Sequence, residues 1–156
     1  MADLEIPLRI VLTAPPPNVL FAIQEKRDPV DQTQSAGSDI AFDLTVRARR
    51  DPITGSVRFG GPYAQGPSAA RFVYVCIGTY AGDPRSCWSR RAKVPLSGLD
   101  WALIERAAAD PGAVLEARIP GAGRDGSPVC ASVRLLGDGW SLARAKGPAG
   151  RARGGR

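Results

Sequence analysis

The chain predicts a mainly β fold: an antiparallel sandwich or partly closed barrel of about eight strands with one α-helix at 97–109. Three observations carry this. Segments 4–13 and 39–50 alternate apolar and polar side chains with the period of two that a half-buried strand requires. RFVYVCIGTY at 71–80 is apolar on both sides, as a central strand covered on both faces would be. Only one stretch has clear helical spacing, and most neighbouring segments are joined by connections of hairpin length.

Leu4, Ile6, Leu8, Ile10 and Leu12 form the buried side of the first strand, with Glu5, Pro7, Arg9, Val11 and Thr13 opposite. Pro15, Pro16 and Pro17 with Asn18 make a stiff turn, and VLFAIQ at 19–24 reads as the return strand. Residues 25–38 are mostly polar and read as a long loop. Ile40, Phe42, Leu44, Val46 and Ala48 then point inward, and Asp39, Asp43, Thr45, Arg47 and Arg49 outward. RDPITG is a turn, SVRF a short strand, and GGPYAQGPSAA a Gly/Pro-rich loop before the central strand. WSRRAKVPL at 88–96 pairs back onto that strand around AGDPRS at 81–86. In the helix, Ser97 and Asp100 form an S-x-x-D capping box, with Leu96 and Trp101 as the hydrophobic staple. Asp110-Pro111-Gly112 stops the helix, and AVLEARI at 113–119 and PVCASVRLL at 128–136 are the closing strands.

At 156 residues the chain suits one domain with a real core, placed at 1–142. No apolar run is long enough to span a bilayer. The N-terminus carries Asp3 and Glu5 where a signal peptide would be basic, so a cytoplasmic location is expected. The cysteines agree with this. If Tyr80 pairs with Cys87, Cys76 lies opposite Arg91, roughly 13 Å from Cys87 along the strand and too far for a disulfide. Free thiols fit a reducing compartment.

The net charge of +6 is unevenly distributed. Residues 143–156 hold Arg144, Lys146, Arg151, Arg153 and Arg156 and no acid, leaving 16 basic against 15 acidic residues in 1–142. The folded part is nearly neutral, and the Gly/Arg/Ala segment is expected to be a disordered tail. Nucleic acid is therefore a partner only through that tail, by phosphate contacts.

GAGRDG at 121–126 matches the letters of the dinucleotide fingerprint G-x-G-x-x-G. That motif works only between a strand and a helix, whose N-terminus holds the pyrophosphate. Here SPVCASV follows, a β-branched run, so the match reads as a hairpin loop and no cofactor is expected. The chain has no histidine, which removes Ser-His and Cys-His nucleophiles and nearly all common catalytic zinc sites. Its three cysteines are too scattered for a metal site. Asp39 and Asp43 share a strand face but stand about 13 Å apart, too far to share a proton or a metal.

Arginine is the main polar resource. Arg91 and Lys93 share one face of the strand beside 71–80, and Arg71 and Gln65 enter that strand. These four, with Arg124 and Asp125 from the Gly-rich loop, are the candidate ligand-binding residues, because guanidinium forks and exposed backbone N–H groups suit a carboxylate or phosphate. The competing reading pairs the arginines with Asp43, Glu116 and Asp125 on a mixed-charge surface.

The stretches LRIVLTAPPPNVLFAIQ, DLTVRARR, GPYAQGP with RFVYVCIGTYAG, WSRRAKVPL and LEARIPGAGRDGSPVCASVRLL together resemble a family of short bacterial proteins from high-GC organisms, a domain of unknown function. The resemblance covers roughly residues 4–140. It implies a stand-alone bacterial protein and carries over no activity or catalytic residue. The leading reading is a non-catalytic binding module for a small anionic ligand or a protein partner. The alternatives are a nucleic-acid binder acting through the tail and a histidine-free enzyme using Asp, Arg, Lys or Tyr.

Overall fold

A computed structural model describes residues 3–66, 71–79, 88 and 90–145. These residues form β1 (Leu4–Thr13), β2 (Val19–Glu25), β3 (Asp28–Gln34), β4 (Ile40–Arg50), β5 (Val57–Gly60), β6 (Phe72–Thr79), β7 (Arg90–Pro95), α1 (Trp101–Ala109), β8 (Ala113–Pro120), β9 (Ala131–Ser132) and β10 (Ser141–Arg144). The strands make two five-stranded sheets, ordered β10-β8-β1-β4-β5 and β3-β2-β6-β7-β9. They pack face to face as a sandwich, and no closed barrel forms. Each sheet contains one parallel pair, β1 with β8 and β7 with β9. No helix among the described residues is long and apolar enough to cross a membrane.

Alternation puts the core between the sheets. Ile6, Leu8, Ile10 and Leu12 of β1 are fully buried beside Phe42, Leu44 and Val46 of β4. Phe21 and Ile23 of β2, and Val73, Val75 and Ile77 of β6, meet them from the second sheet. Each fully buried Leu, Ile or Phe contributes roughly 1.5–3 kcal/mol, so this interior dominates the stability.

Several expectations need correction. Residues 25–38 are not all loop, because β3 pairs with β2 there. As an edge strand with no fully buried residue it carries no alternating pattern, and only Val30 packs against the core. β1 and β2 are not a hairpin: they lie in opposite sheets. Prolines cannot continue a ladder, and with Ala14 and Asn18 at φ 47° and 63° the 14–18 turn carries the chain from one sheet to the other. The strand expected over 128–136 shrinks to Ala131–Ser132, where Ala131 sits at φ 71° and breaks the extended run. Ordered structure also continues past Leu142, because Ala143 and Arg144 belong to β10 and pair with Val114 and Ala113.

The helix begins at Trp101, not Ser97. Asp100 itself is the N-cap, its carboxylate accepting the Leu103 N–H at 2.8 Å, while Leu99 N–H bonds Leu96 C=O to form a preceding turn. A nine-residue helix is marginal alone. Buried Ile104 and Ala107 anchor it to the core, where it lies against β1, β8 and β10 and carries the chain from the second sheet to the first.

β6 and β7 pair antiparallel in the anticipated register, Cys76 opposite Arg91, while the AGDPRS turn expected between them lies outside the described residues. One face of β6 meets the first sheet. The other presents Phe72, Tyr74 and Cys76 outward, and β7 reaches over it with long cationic side chains.

Candidate functional site

The outer face of the second sheet is built from β2, β6 and β7. Because alternate residues share a face, the register sets Lys93 opposite Tyr74 and Arg91 opposite Cys76. Both cations lean diagonally across to the next ring along β6. The Arg91 guanidinium lies 4.4 Å from the Tyr74 ring centroid, and the Lys93 ammonium 5.3 Å from that of Phe72. The two rings are nearly parallel, at 15°, with centroids 6.5 Å apart. The result is a two-step ladder of cations over aromatic faces.

Gln24 on β2 fixes the upper step. This residue is buried, and its amide nitrogen donates to the Lys26 carbonyl at 2.8 Å, which aims Oε1 along the sheet face. That oxygen accepts from Arg91 Nη1 at 3.3 Å and faces Cys76 Sγ at 3.8 Å. Burial pushes the Cys76 thiol up from its ordinary pKa, with Arg91 opposing the shift, so the sulfur stays a neutral thiol near pH 7. Cys76 and Cys130 are free thiols, and Cys87 lies outside the described residues.

Among the described residues neither Arg91 nor Lys93 forms an ion pair. One N–H of Arg91 is committed to Gln24, and a guanidinium has five. The rest, with the Lys93 ammonium, can meet an anion in the plane of the stack.

The other candidate residues do not all converge here. Gln65 turns its amide back to the Pro62 carbonyl at 3.0 Å, while its backbone bridges to Phe72. Arg71 is exposed at the start of β6 and lines a groove of about 880 Å³ with Phe72, Pro95, Leu96 and Arg58. Arg124 and Asp125 stand at the opposite end of the sandwich, where the Gly121 N–H bonds the Thr13 carbonyl at the end of β1. Roughly 23 Å of strand separates that end from Arg71. Asp125 is occupied locally: its carboxylate accepts from Ser127 Oγ at 2.6 Å and Ser127 N at 3.0 Å, and these bonds hold it below the usual carboxylate range, the hydroxyl foremost.

The same turn explains GAGRDG. Ala122 bridges to Pro128, Gly126 takes φ 82°, and a strand follows, so the strand–loop–helix context of a dinucleotide site is missing. A Cβ at Gly121 would stand 2.6 Å from the Pro15 Cα, so close packing of the turn against the proline segment requires glycine there.

Of the tail cations, Arg144 lies in β10. It makes a two-point ion pair with Asp110, at 3.0 and 3.2 Å. The Gly112 N–H and then this guanidinium hold Asp110 below its ordinary range. Lys146, Arg151, Arg153 and Arg156 lie outside the described residues.

Asp43 and Glu116, the carboxylates of the competing reading, do carry arginines on the first sheet's outer face, around an arginine that was not among the candidates. Arg9 is buried at 8% exposure, between Asp43 at 3.2 Å and Glu116 at 3.3 Å on the flanking strands. It also donates to the Arg144 carbonyl at 3.3 Å. Arg118 extends the row to Glu116 and Asp39, at 3.4 and 3.6 Å. The signal was present as outward positions of like parity on three strands, but it needed the strand order to be read. Among the described residues no group of three or more metal-ligating side chains occurs.

The architecture is thus a two-sheet β-sandwich with a cation–aromatic face on one sheet. The chain belongs to the DUF5990 family, a family of unknown function, whose profile matches residues 6–143, from within β1 to within β10. Neither a curated protein nor a solved structure shows significant similarity to it.

Proposed function

We propose that this protein is a non-catalytic binding module that holds a small carboxylate- or phosphate-bearing ligand on the outer face of the second sheet, between Arg91 and Lys93. The observation that carries the reading is two neighbouring cations, each set over an aromatic ring and neither neutralised by a carboxylate among the described residues. Stacking and the Gln24 bond orient Arg91 before a ligand arrives, which reduces the ordering cost of binding. A bound anion would also relieve the repulsion between the two cations. Among the described residues the groups at the array are the two cations, two aromatic rings, a neutral amide and a thiol whose pKa burial raises, a set that supports binding over catalysis. The ring faces on which a nucleobase would stack are occupied by Arg91 and Lys93, which favours a compact anion over single-stranded nucleic acid.

Native mass spectrometry of protein purified from cell lysate tests this. The expected result is an acidic small molecule that accompanies the wild type and is absent from a folded Arg91→Gln/Lys93→Gln variant. Retention of the same mass by that variant would contradict the proposal.

A further inference from the structure

We infer that the free edge of β5 accepts an extended acidic peptide as an added strand. β5 ends the first sheet, so among the described residues one side of Val57–Gly60 has no neighbouring strand. The register determines which backbone groups stay open. Asp51 N–H donates to Ser56 C=O at 2.8 Å, and hydrogen-bonded pairs recur at every second residue of an antiparallel ladder. Arg49 with Arg58, and Arg47 with Gly60, are therefore bonded pairs, while the N–H and C=O of Val57 and Phe59 turn away from β4. Among the described residues nothing bonds these four groups. The second sheet's edges are blunted by contrast: β3 carries Pro29 and a register shift, and β9 has only two residues.

Alongside the open edge runs the groove of about 880 Å³, with Phe72, Pro95, Leu96 and Leu99 on its far side. Arg71 lines the same groove, and the alternation of β5 puts Arg58 on the outward face of the sheet. Neither arginine forms an ion pair among the described residues. An added strand would continue the alternation of the sheet. Side chains facing the groove would meet apolar surface, and those facing outward would meet Arg58. A segment of acidic and apolar residues in alternation has both the periodicity and the charge, and four residues of β5 would hold about 13 Å of it. The charges involved are not those of the Arg91–Lys93 ladder.

The probe is a fluorescein-labelled Glu-Val-Glu-Val-Glu peptide, followed by anisotropy and by amide hydrogen exchange of the ¹⁵N-labelled full chain. Binding should saturate, and exchange should slow at the Val57 and Phe59 amides. An Arg58→Glu/Arg71→Glu variant, shown to keep the wild-type melting temperature, should bind at least about tenfold more weakly. In an antiparallel added strand the valines stand opposite Val57 and Phe59 and turn their N–H groups toward β5, so methylating the valine amides should abolish binding. Equal binding by the methylated peptide or by Lys-Val-Lys-Val-Lys, no saturation, or unchanged exchange at Val57 and Phe59 would overturn the inference.

Discussion

The two outer faces of the sandwich use arginine in opposite ways. On the first sheet the arginines of β1 and β8 end on carboxylates: Arg9 on Asp43 and Glu116, Arg118 on Glu116 and Asp39. On the second sheet Arg91 and Lys93 end on aromatic rings and on Gln24, with no carboxylate partner among the described residues. The physics separates their roles. A buried, neutralised cation is a structural commitment whose removal strands its partners. An exposed cation held over a ring has only part of its hydrogen-bonding capacity used, and it costs little to redirect toward an incoming anion. The centre of the first face is closed electrostatically; the ladder on the second is open.

Substitution at the closed face should have the largest effect. Arg9→Ala removes a side chain with 9% exposure, its apolar stem, and three hydrogen-bond partners. Asp43 is solvated enough to lose little, but Glu116 is half-buried, so we expect about 3 kcal/mol of destabilisation by urea unfolding. Arg9→Met should recover about a third of that by refilling the stem. A cost below about 1 kcal/mol for Arg9→Ala would mean the network does not bind the sheet together.

At the open face, the Arg91→Ala/Lys93→Ala double variant should cost no more than about 1–2 kcal/mol, the worth of two cation–ring contacts made by an exposed arginine and a half-buried lysine. A cost above about 3 kcal/mol would make these residues structural and erase the contrast between the faces.

Acid should act on the carboxylates that hydrogen bonds and ion pairs hold in the folded chain. Asp110 is held below its ordinary range by the Gly112 N–H and then by Arg144. The unfolded chain therefore takes up its proton first as pH falls. The stabilisation is complete above about pH 4 and is lost as pH falls through the lower folded value. Asp51, held down by the Ile53 and Thr54 N–H groups, and Asp125, held down by Ser127, behave the same way. An Asp110→Asn variant should show a shallower loss of melting temperature between pH 4.5 and 2.5 (about the carboxylate range). The double variant at the open face should keep the wild-type slope, because that ladder contains no carboxylate.

The sequence revealed structure wherever burial imprinted a pattern. β4 alternates because one of its faces is core, and the β6–β7 register followed from the length of the connecting loop. β3 and β10 were illegible because neither has a buried residue to imprint an alternating pattern. Alternation also says nothing about which sheet a strand joins, so β1 and β2 read as neighbours and turned out to face each other across the core. The candidate site divides along the same line. Arg91 and Lys93 could be placed on one face from strand parity, and their rings stand two residues along the neighbouring strand. Gln65 was grouped with them by its place ahead of β6, and Arg124 and Asp125 by chemistry alone; the turns that hold Gln65 and Asp125 spend those side chains' polar groups locally.

The central claim, that the Arg91–Lys93 ladder is an anion site, is tested most directly by stability in phosphate. Wild type and the Arg91→Ala/Lys93→Ala variant are unfolded thermally in matched ionic strengths of chloride and phosphate. The account predicts that phosphate raises the wild-type melting temperature beyond the general salting-out increment, and that the excess vanishes in the variant. An identical phosphate response in both proteins would contradict it and leave the ladder as surface packing.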